Sequence, residues 1–150
     1  MIKVGVETRN PGILVVDDEV ALAEVVRLKL ASLTNDVVVA NSGKEAIEIC
    51  QARSFDVVIS DVRMPEMDGV ELLKILSHDF PSMRRVVLTG YMDIEQTVNS
   101  INAGRVHRYL TKPRAVNELV DAVSEELHIG EKERIEISRL RDAIEKLSNI

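Results

Sequence analysis

Val57-Val58-Ile59-Ser60-Asp61 decides the fold, because an unbroken apolar run ends there on a carboxylate. The same pattern recurs along the chain. Ile13-Leu14-Val15-Val16 runs into Asp17-Asp18, Val86-Val87-Leu88 into Thr89, and Tyr109-Leu110-Thr111 into Lys112-Pro113. Unbroken β-branched runs suit strands buried on both faces, whereas half-exposed antiparallel strands alternate apolar with polar residues. If these runs are parallel neighbours, three carboxylates, a hydroxyl and an ammonium meet at one sheet edge. Such an edge can hold a divalent cation and a phosphoryl group.

The intervening segments read as helices. Residues 19–33 carry Leu22, Val25, Val26, Leu28, Leu30 and Leu33 at helical spacing. Val37-Val38-Val39 is a further strand, and Ser42 with Glu45 forms a capping box for a helix presenting Ala46, Ile47, Ile49 and Cys50. The third strand spans 55–60. Met64 to Gly69 is a loop by its Pro and Asp-Gly content. A short helix with Val70, Leu72, Leu73 and Leu76 ends at Phe80-Pro81. Residues 84–88 form the fourth strand and 93–102 a helix that Gly104 is placed to end. The fifth strand covers 106–110, and a fifth helix runs from Ala115 to Leu127. This alternation predicts βαβ units and a doubly wound parallel sheet of α/β class. In such sheets the ligand site lies beyond the carboxyl ends of the strands. Asp17, Asp18, Asp61, Thr89 and Lys112 all stand there.

The ends of the chain are less defined. Residues 1–11 are a lead-in, either disordered or a short edge strand through Ile2, Val4 and Val6. Gly130 interrupts the last helical pattern, after which Ile137, Leu140, Ile144 and Leu147 recur at 3-4-3 spacing among five acidic and five basic residues. Residues 129–150 therefore form a separate C-terminal amphipathic helix or linker. It either starts a coiled coil or packs back on the domain.

Size and composition bound the function. A chain of 150 residues with 45% apolar content makes one ordinary domain with a real core. A net charge of −6, no Trp and only Phe55, Phe80, Tyr91 and Tyr109 as aromatics argue against direct nucleic-acid binding. Cys50 is the only cysteine, which excludes an internal disulfide and a cysteine-rich zinc site. No stretch is long and apolar enough to span a bilayer and no signal peptide is evident, so a cytoplasmic protein is expected, away from membranes.

Three carboxylates about 5 Å apart repel by roughly 3 kcal/mol per pair at an effective dielectric of about 20. Such a cluster raises a pKa or binds a cation. Oxygen-only ligation suits Mg²⁺. Asp61 would be a fixed but open carboxylate, a competent nucleophile towards phosphorus once positive charge screens the phosphoryl oxygens. Lys112 can supply that charge and Thr89 a hydrogen bond. Each residue also has an ordinary reading. Asp18 could cap the first helix, Asp61 and Asp68 could be turn residues, Thr89 a loop hydroxyl and Lys112 a solvated cation. Their order at successive strand ends favours the functional reading.

With these residues in place, the sequence over 13–127 resembles the receiver domain of two-component response regulators. The resemblance rests on Ile13 to Glu19, Asp56 to Gly69, Leu88-Thr89-Gly90 and Tyr109 to Pro113. It implies a flavodoxin-like sheet in order 2-1-3-4-5. Residues 12–128 would be the receiver domain. Asp61 would accept phosphate from a sensor histidine kinase or phosphotransfer protein. Asp18, Asp61 and the Arg63 backbone carbonyl would bind Mg²⁺, with Asp17 acting largely through water. Lys112 would pair with the phosphoryl group. Thr89 and Tyr109 would be the switch pair, although Tyr109 could equally be a partly buried surface aromatic. The resemblance implies a switch that catalyses only its own phosphorylation and dephosphorylation, and a cis Lys112-Pro113 peptide.

Arg63 and Tyr91 flank the route of water to an acyl phosphate, which predicts a long-lived phospho-form; the alternative is two surface residues without a kinetic role. The run 101–110 looks like receivers that precede larger effectors. In that setting the switch would control an output module, or a homodimer through the fourth helix, fifth strand, fifth helix and C-terminal helix. Three rival readings compete. An aspartyl phosphatase would usually place an acid where Arg63 stands, and a flavodoxin-like cofactor binder needs a Ser/Thr/Gly-rich loop where Asp17-Asp18-Glu19 stands. An unphosphorylated interaction module would not need the full acidic set.

Overall fold

The computed structural model describes residues 10–90, 93–103, 105–112 and 115–149. The expectations for residues 1–9, Tyr91, Gly104 and the Lys112-Pro113 peptide lie outside them. Strands β1 (Gly12–Val16), β2 (Asp36–Ala40), β3 (Val57–Asp61), β4 (Arg84–Thr89) and β5 (Arg108–Thr111) alternate with helices. The helices are α1 (Val20–Leu30), α2 (Gly43–Ala52), α3 (Gly69–Asp79), α4 (Ile94–Asn102) and α5 (Ala115–Ser148). The sheet is parallel in the order β2-β1-β3-β4-β5, as the resemblance implies.

Alternate residues of each strand feed opposite core layers, as the two-residue strand period requires. Ile13, Val15, Val57, Ile59, Val86, Leu88 and Leu110 pack under α1 and α5. Leu14, Val16, Val58 and Val87 pack under α2 and α3, with Ile101 of α4 against them. Fully burying one such side chain is worth about 1.5–3 kcal/mol, so the central strands anchor everything attached to their ends. Register then levels those ends: Val16 pairs with Ser60, Asp61 with Leu88, and Thr89 with Thr111.

Several local expectations change. Helix α1 buries Ala23, Val26 and Leu30, while Val25 and Leu28 face solvent. Phe55 is buried but precedes β3, and Val106 is buried in the loop before β5. Ser42 caps α2 by accepting the Glu45 N–H at 3.1 Å, but Glu45 returns to the Asn41 N–H at 3.0 Å, one residue before the capping-box position. Asp18 does not cap α1; the N-cap position is Glu19, with no side-chain cap bond. Asp68 caps α3, accepting the Glu71 N–H at 2.8 Å.

The largest departure is at Gly130, where the expected break does not occur. Helix α5 runs unbroken for 34 residues. Gly130 is tolerated there because α5 crosses Arg84, whose Cγ would lie 3.3 Å from an added Cβ. The Arg84 guanidinium spans the glycine, donating to Glu126 at 2.9 Å on one side and to Glu133 at 3.0 Å on the other. Glu126, 2% exposed, also accepts from Arg108 at 3.0 Å. Arg134 reaches Asp56 at 2.7 Å, and Asp56 in turn accepts the Gly12 N–H at 2.8 Å. Removing one partner of a buried pair strands a charge, so these contacts hold α5 to the amino-terminal edge of the sheet. Beyond Arg134 the helix leaves the body and its side chains are exposed.

Candidate functional site

Asp17, just beyond β1, and Asp61, closing β3, are buried where their strands end, and Asp18 is exposed beside them. One carboxylate oxygen from each lies within 4.8 Å of the others. The backbone sets this up. The Asp17 N–H donates to the Ala40 carbonyl at 3.1 Å, continuing the β1–β2 ladder past the strand. Its own carbonyl accepts from the Asn41 amide at 3.0 Å. On the other side, Gly69 brings α3 so close to β3 that an added Cβ would sit 2.1 Å from the Asp61 carbonyl oxygen. Only glycine fits that approach.

The charges are unevenly satisfied. Lys112 Nζ lies 2.9 Å from Asp61 Oδ1. Asp17 Oδ1 accepts the Glu19 N–H at 3.0 Å, but Asp17 Oδ2 is buried without a hydrogen-bond partner among the described residues. Burial pushes the Asp17 pKa up, the Glu19 N–H opposes this, and Asp61 adds to the rise. A buried unpaired carboxylate oxygen among like charges is costly, and a divalent cation removes both penalties. The donor set is hard oxygen without imidazole or thiolate, which fits Mg²⁺ better than zinc or copper. The residues present therefore fit the metal expected from the sequence.

Thr89 is fully buried at the end of β4. Its hydroxyl donates to the Gly90 carbonyl at 3.0 Å and lies 3.5 Å from the Thr97 hydroxyl of α4. The Lys112 N–H donates to the Thr89 carbonyl at 3.0 Å, which joins the β4 and β5 ends. Tyr109 stands on β5 and is 38% exposed, so the two members of the expected switch pair differ sharply in burial. The Arg63 side chain is 70% exposed, and its Nε donates to Asp93 at 3.1 Å. The adjoining depression is lined by Val62, Arg63, Met64, Pro65, Asp68 and Asp93.

The five strand-end residues expected from the sequence are thus assembled at one edge. Sequence reasoning missed Asn41, Asp93 and Thr97. Asn41 supports Asp17, Asp93 holds Arg63, and Thr97 bonds the Asp93 carbonyl at 2.9 Å besides touching Thr89. Asp93 lies 30 residues from Arg63, and no local pattern links them.

Comparison with known proteins gives the same picture. The family model for the response regulator receiver domain matches residues 13–124. The transcriptional regulatory protein ZraR of Escherichia coli O157:H7 is 38% identical over 104 residues, which is 69% of this chain and 23% of ZraR. GlrR of Escherichia coli K12, also a transcriptional regulatory protein, is 36% identical over 115 residues, 77% of this chain and 26% of GlrR. The chain therefore spans about a quarter of the length of these curated relatives. Among solved structures, the signal receiver domain of an HD domain-containing protein from Pseudomonas fluorescens Pf-5 superposes with a TM-score of 0.80 at 33% identity, covering 89% of this chain and 98% of that one. NtrX from Brucella abortus gives 0.78 at 26% identity, covering 88% of this chain and 30% of NtrX. With the strand order, the gathered acids and the match over three quarters of its length all in agreement, the chain belongs to the receiver domains of two-component response regulators.

Proposed function

We propose that this receiver is a phospho-accepting switch in which Asp61 takes a phosphoryl group from a phosphohistidine on a sensor histidine kinase or phosphotransfer protein. The Asp61 carboxylate oxygen forms the new bond to phosphorus as the P–N bond breaks, and the electron pair leaves with the imidazole. Lys112, already at Asp61, neutralises charge on the phosphoryl oxygens. Asp17, Asp18, Asp61 and the Arg63 backbone carbonyl would hold Mg²⁺, which when bound screens those oxygens. Thr89 would then donate to a phosphoryl oxygen instead of to the Gly90 carbonyl. That exchange would draw the start of α4 inward, with Tyr109 following. The chemistry is limited to the protein's own phosphorylation and dephosphorylation.

One observation carries this reading: Asp61 is paired with an ammonium on one side while the neighbouring Asp17 Oδ2 has no partner among the described residues. Acetyl phosphate with Mg²⁺ should add one phosphoryl group to the protein, read by mass spectrometry. Chelation should abolish the gain, and Asp61→Asn should show none. An Asn variant that still takes up the group, or a wild type that never does, overturns the assignment. Residues 12–128 act as the receiver in this reading and 129–150 as a linker to an output module. The phospho-form could also act through a homodimer on the face of α4, β5 and α5 extended by the C-terminal helix. Transcriptional control is a property of the longer relatives, whereas this acidic segment is not itself a nucleic-acid surface.

A further inference from the structure

We infer that Thr97 of α4 is a positioning residue that restrains Thr89 and so sets how readily the site passes into its phosphoryl-bound form. The inference rests on the phospho-acceptor reading above and names a residue to which that reading gives no role. Thr97 and Thr89 are both fully buried, so bulk water does not compete for their hydroxyls. Thr97 has one proton to give, and its Oγ1 lies 2.9 Å from the Asp93 carbonyl oxygen and 3.5 Å from Thr89 Oγ1. Thr89 in turn donates to the Gly90 carbonyl at 3.0 Å, and that carbonyl also accepts the Asp93 N–H at 3.1 Å. A closed ring of contacts therefore runs from Thr89 through Gly90, Asp93 and Thr97 back to Thr89.

A threonine within a helix often bonds the carbonyl four residues back, and that alone would make Thr97 a local brace of α4. Two features go further. Asp93 occupies the N-cap position of α4 but makes no side-chain cap bond; its carboxylate instead takes the Arg63 Nε at 3.1 Å. The start of α4 is thus held through the ring, and the ring closes on the residue expected to move. The partners of the Thr89 hydroxyl in this ring belong to the β4–α4 connection and to α4, not to the acid cluster. To donate to a phosphoryl oxygen, Thr89 must give up the Gly90 carbonyl, and its contact with Thr97 opposes that movement. The ring then opens at Thr89 alone, because Thr97 keeps its shorter bond to Asp93 and the Asp93 N–H keeps Gly90. Thr97 therefore favours the resting form while leaving no stranded hydroxyl in the other, so its removal shifts the balance towards phosphoryl binding. At 3.5 Å the contact is long, which puts its worth at the low end for a single hydrogen bond.

The test titrates the full 150-residue chain by calorimetry with beryllofluoride and Mg²⁺, beryllofluoride standing in for the phosphoryl group. Thr97→Val keeps the branched shape but has no hydroxyl, and should bind beryllofluoride roughly two- to fivefold more tightly than wild type. Thr97→Ser keeps the hydroxyl and should return to the wild-type affinity. A brace of α4 and nothing more predicts a different result: Thr97→Val would lower the melting temperature and raise amide exchange over residues 94–97, with affinity unchanged. That result overturns the inference, as does a Val variant that binds more weakly or a Ser variant that binds as tightly as Val. Asp61→Asn separates this failure from that of the underlying reading. If wild type binds, Asp61→Asn does not, and Thr97→Val matches wild type, the role of Thr97 falls and the acceptor stands. If wild type fails to bind, or Asp61→Asn binds equally well, the acceptor reading falls and the inference with it.

Discussion

Asp17 shows how one atom exposes what a site is built for. Its buried Oδ2 has no partner among the described residues; burial raises its pKa, and Asp61 and Asp18 add to the rise. Asp17→Asn should therefore raise the melting temperature measured without divalent ions and remove most of the stabilisation that Mg²⁺ gives the wild type. Equal Mg²⁺ stabilisation in wild type and variant would count against this role for Asp17. Gly69 makes the opposite demand. An added Cβ meets the Asp61 carbonyl at 2.1 Å, and the atom in the way is backbone that cannot step aside cheaply. Gly69→Ala should cost more than about 2 kcal/mol in denaturant titrations, despite alanine's better helix propensity. Arg63, two residues beyond the proposed acceptor Asp61 and 70% exposed, is held by Asp93. Releasing it by Asp93→Asn should speed hydrolysis of the phospho-form by roughly two- to fivefold, followed by loss of label after donor removal. These contacts differ in how far the sequence displayed them. Asp17, Asp61 and Lys112 each close an apolar run and are visible one by one. Asp93 acts through Arg63, brought close only by the parallel crossover, so nothing local announces it, and Thr97 reaches its neighbours Asp93 and Thr89 only once the β4–α4 connection is folded.

At the scale of elements, the sheet was legible because its central strands β1 and β3 are unbroken apolar, largely β-branched runs, a local pattern that tertiary context has no reason to override. The helices were read less well, each for a physical reason. Helix α1 is apolar on more than one side, so spacing alone did not separate Ala23, Val26 and Leu30 from the exposed Val25 and Leu28. Gly130 looked like a stop because a lone glycine costs about 1 kcal/mol within a helix. That cost is offset by ion pairs from Arg84, 42 residues from Glu126 in the chain and 49 from Glu133. Arg84→Ala should therefore destabilise the fold by about 2 kcal/mol, less than a fully stranded charge because Arg108 still serves Glu126. It should also raise amide hydrogen exchange selectively over residues 129–136. Unchanged protection there would mean that α5 crosses Gly130 without the staple.

For the molecule as a whole, pH sensitivity below neutrality has an identifiable source far from the acids. His107 precedes β5 at the amino-terminal edge of the sheet, where its Nδ1 accepts the Arg85 N–H at 2.9 Å. Burial, then Arg84 and Arg85, push its pKa down from 6.5 to about 4. The folded state therefore favours the neutral ring. Its contribution is complete above pH 6.5 and is lost as pH falls towards 4, where the unfolded chain binds a proton that the folded chain resists. His107→Asn keeps an acceptor but cannot titrate, and should flatten the slope of unfolding free energy across that window relative to wild type. Equal slopes would assign the acid sensitivity to carboxylates instead. The unbroken α5 has a mechanical consequence as well. From Arg134 to Ser148 it extends roughly 21 Å past its last anchorage. A swing of about 5° where it rests on the sheet would carry its tip some 2 Å sideways, roughly the rise between neighbouring helical residues. A lever of that length turns a small rearrangement at the β4 and β5 ends into a displacement that a module attached to the tip can feel.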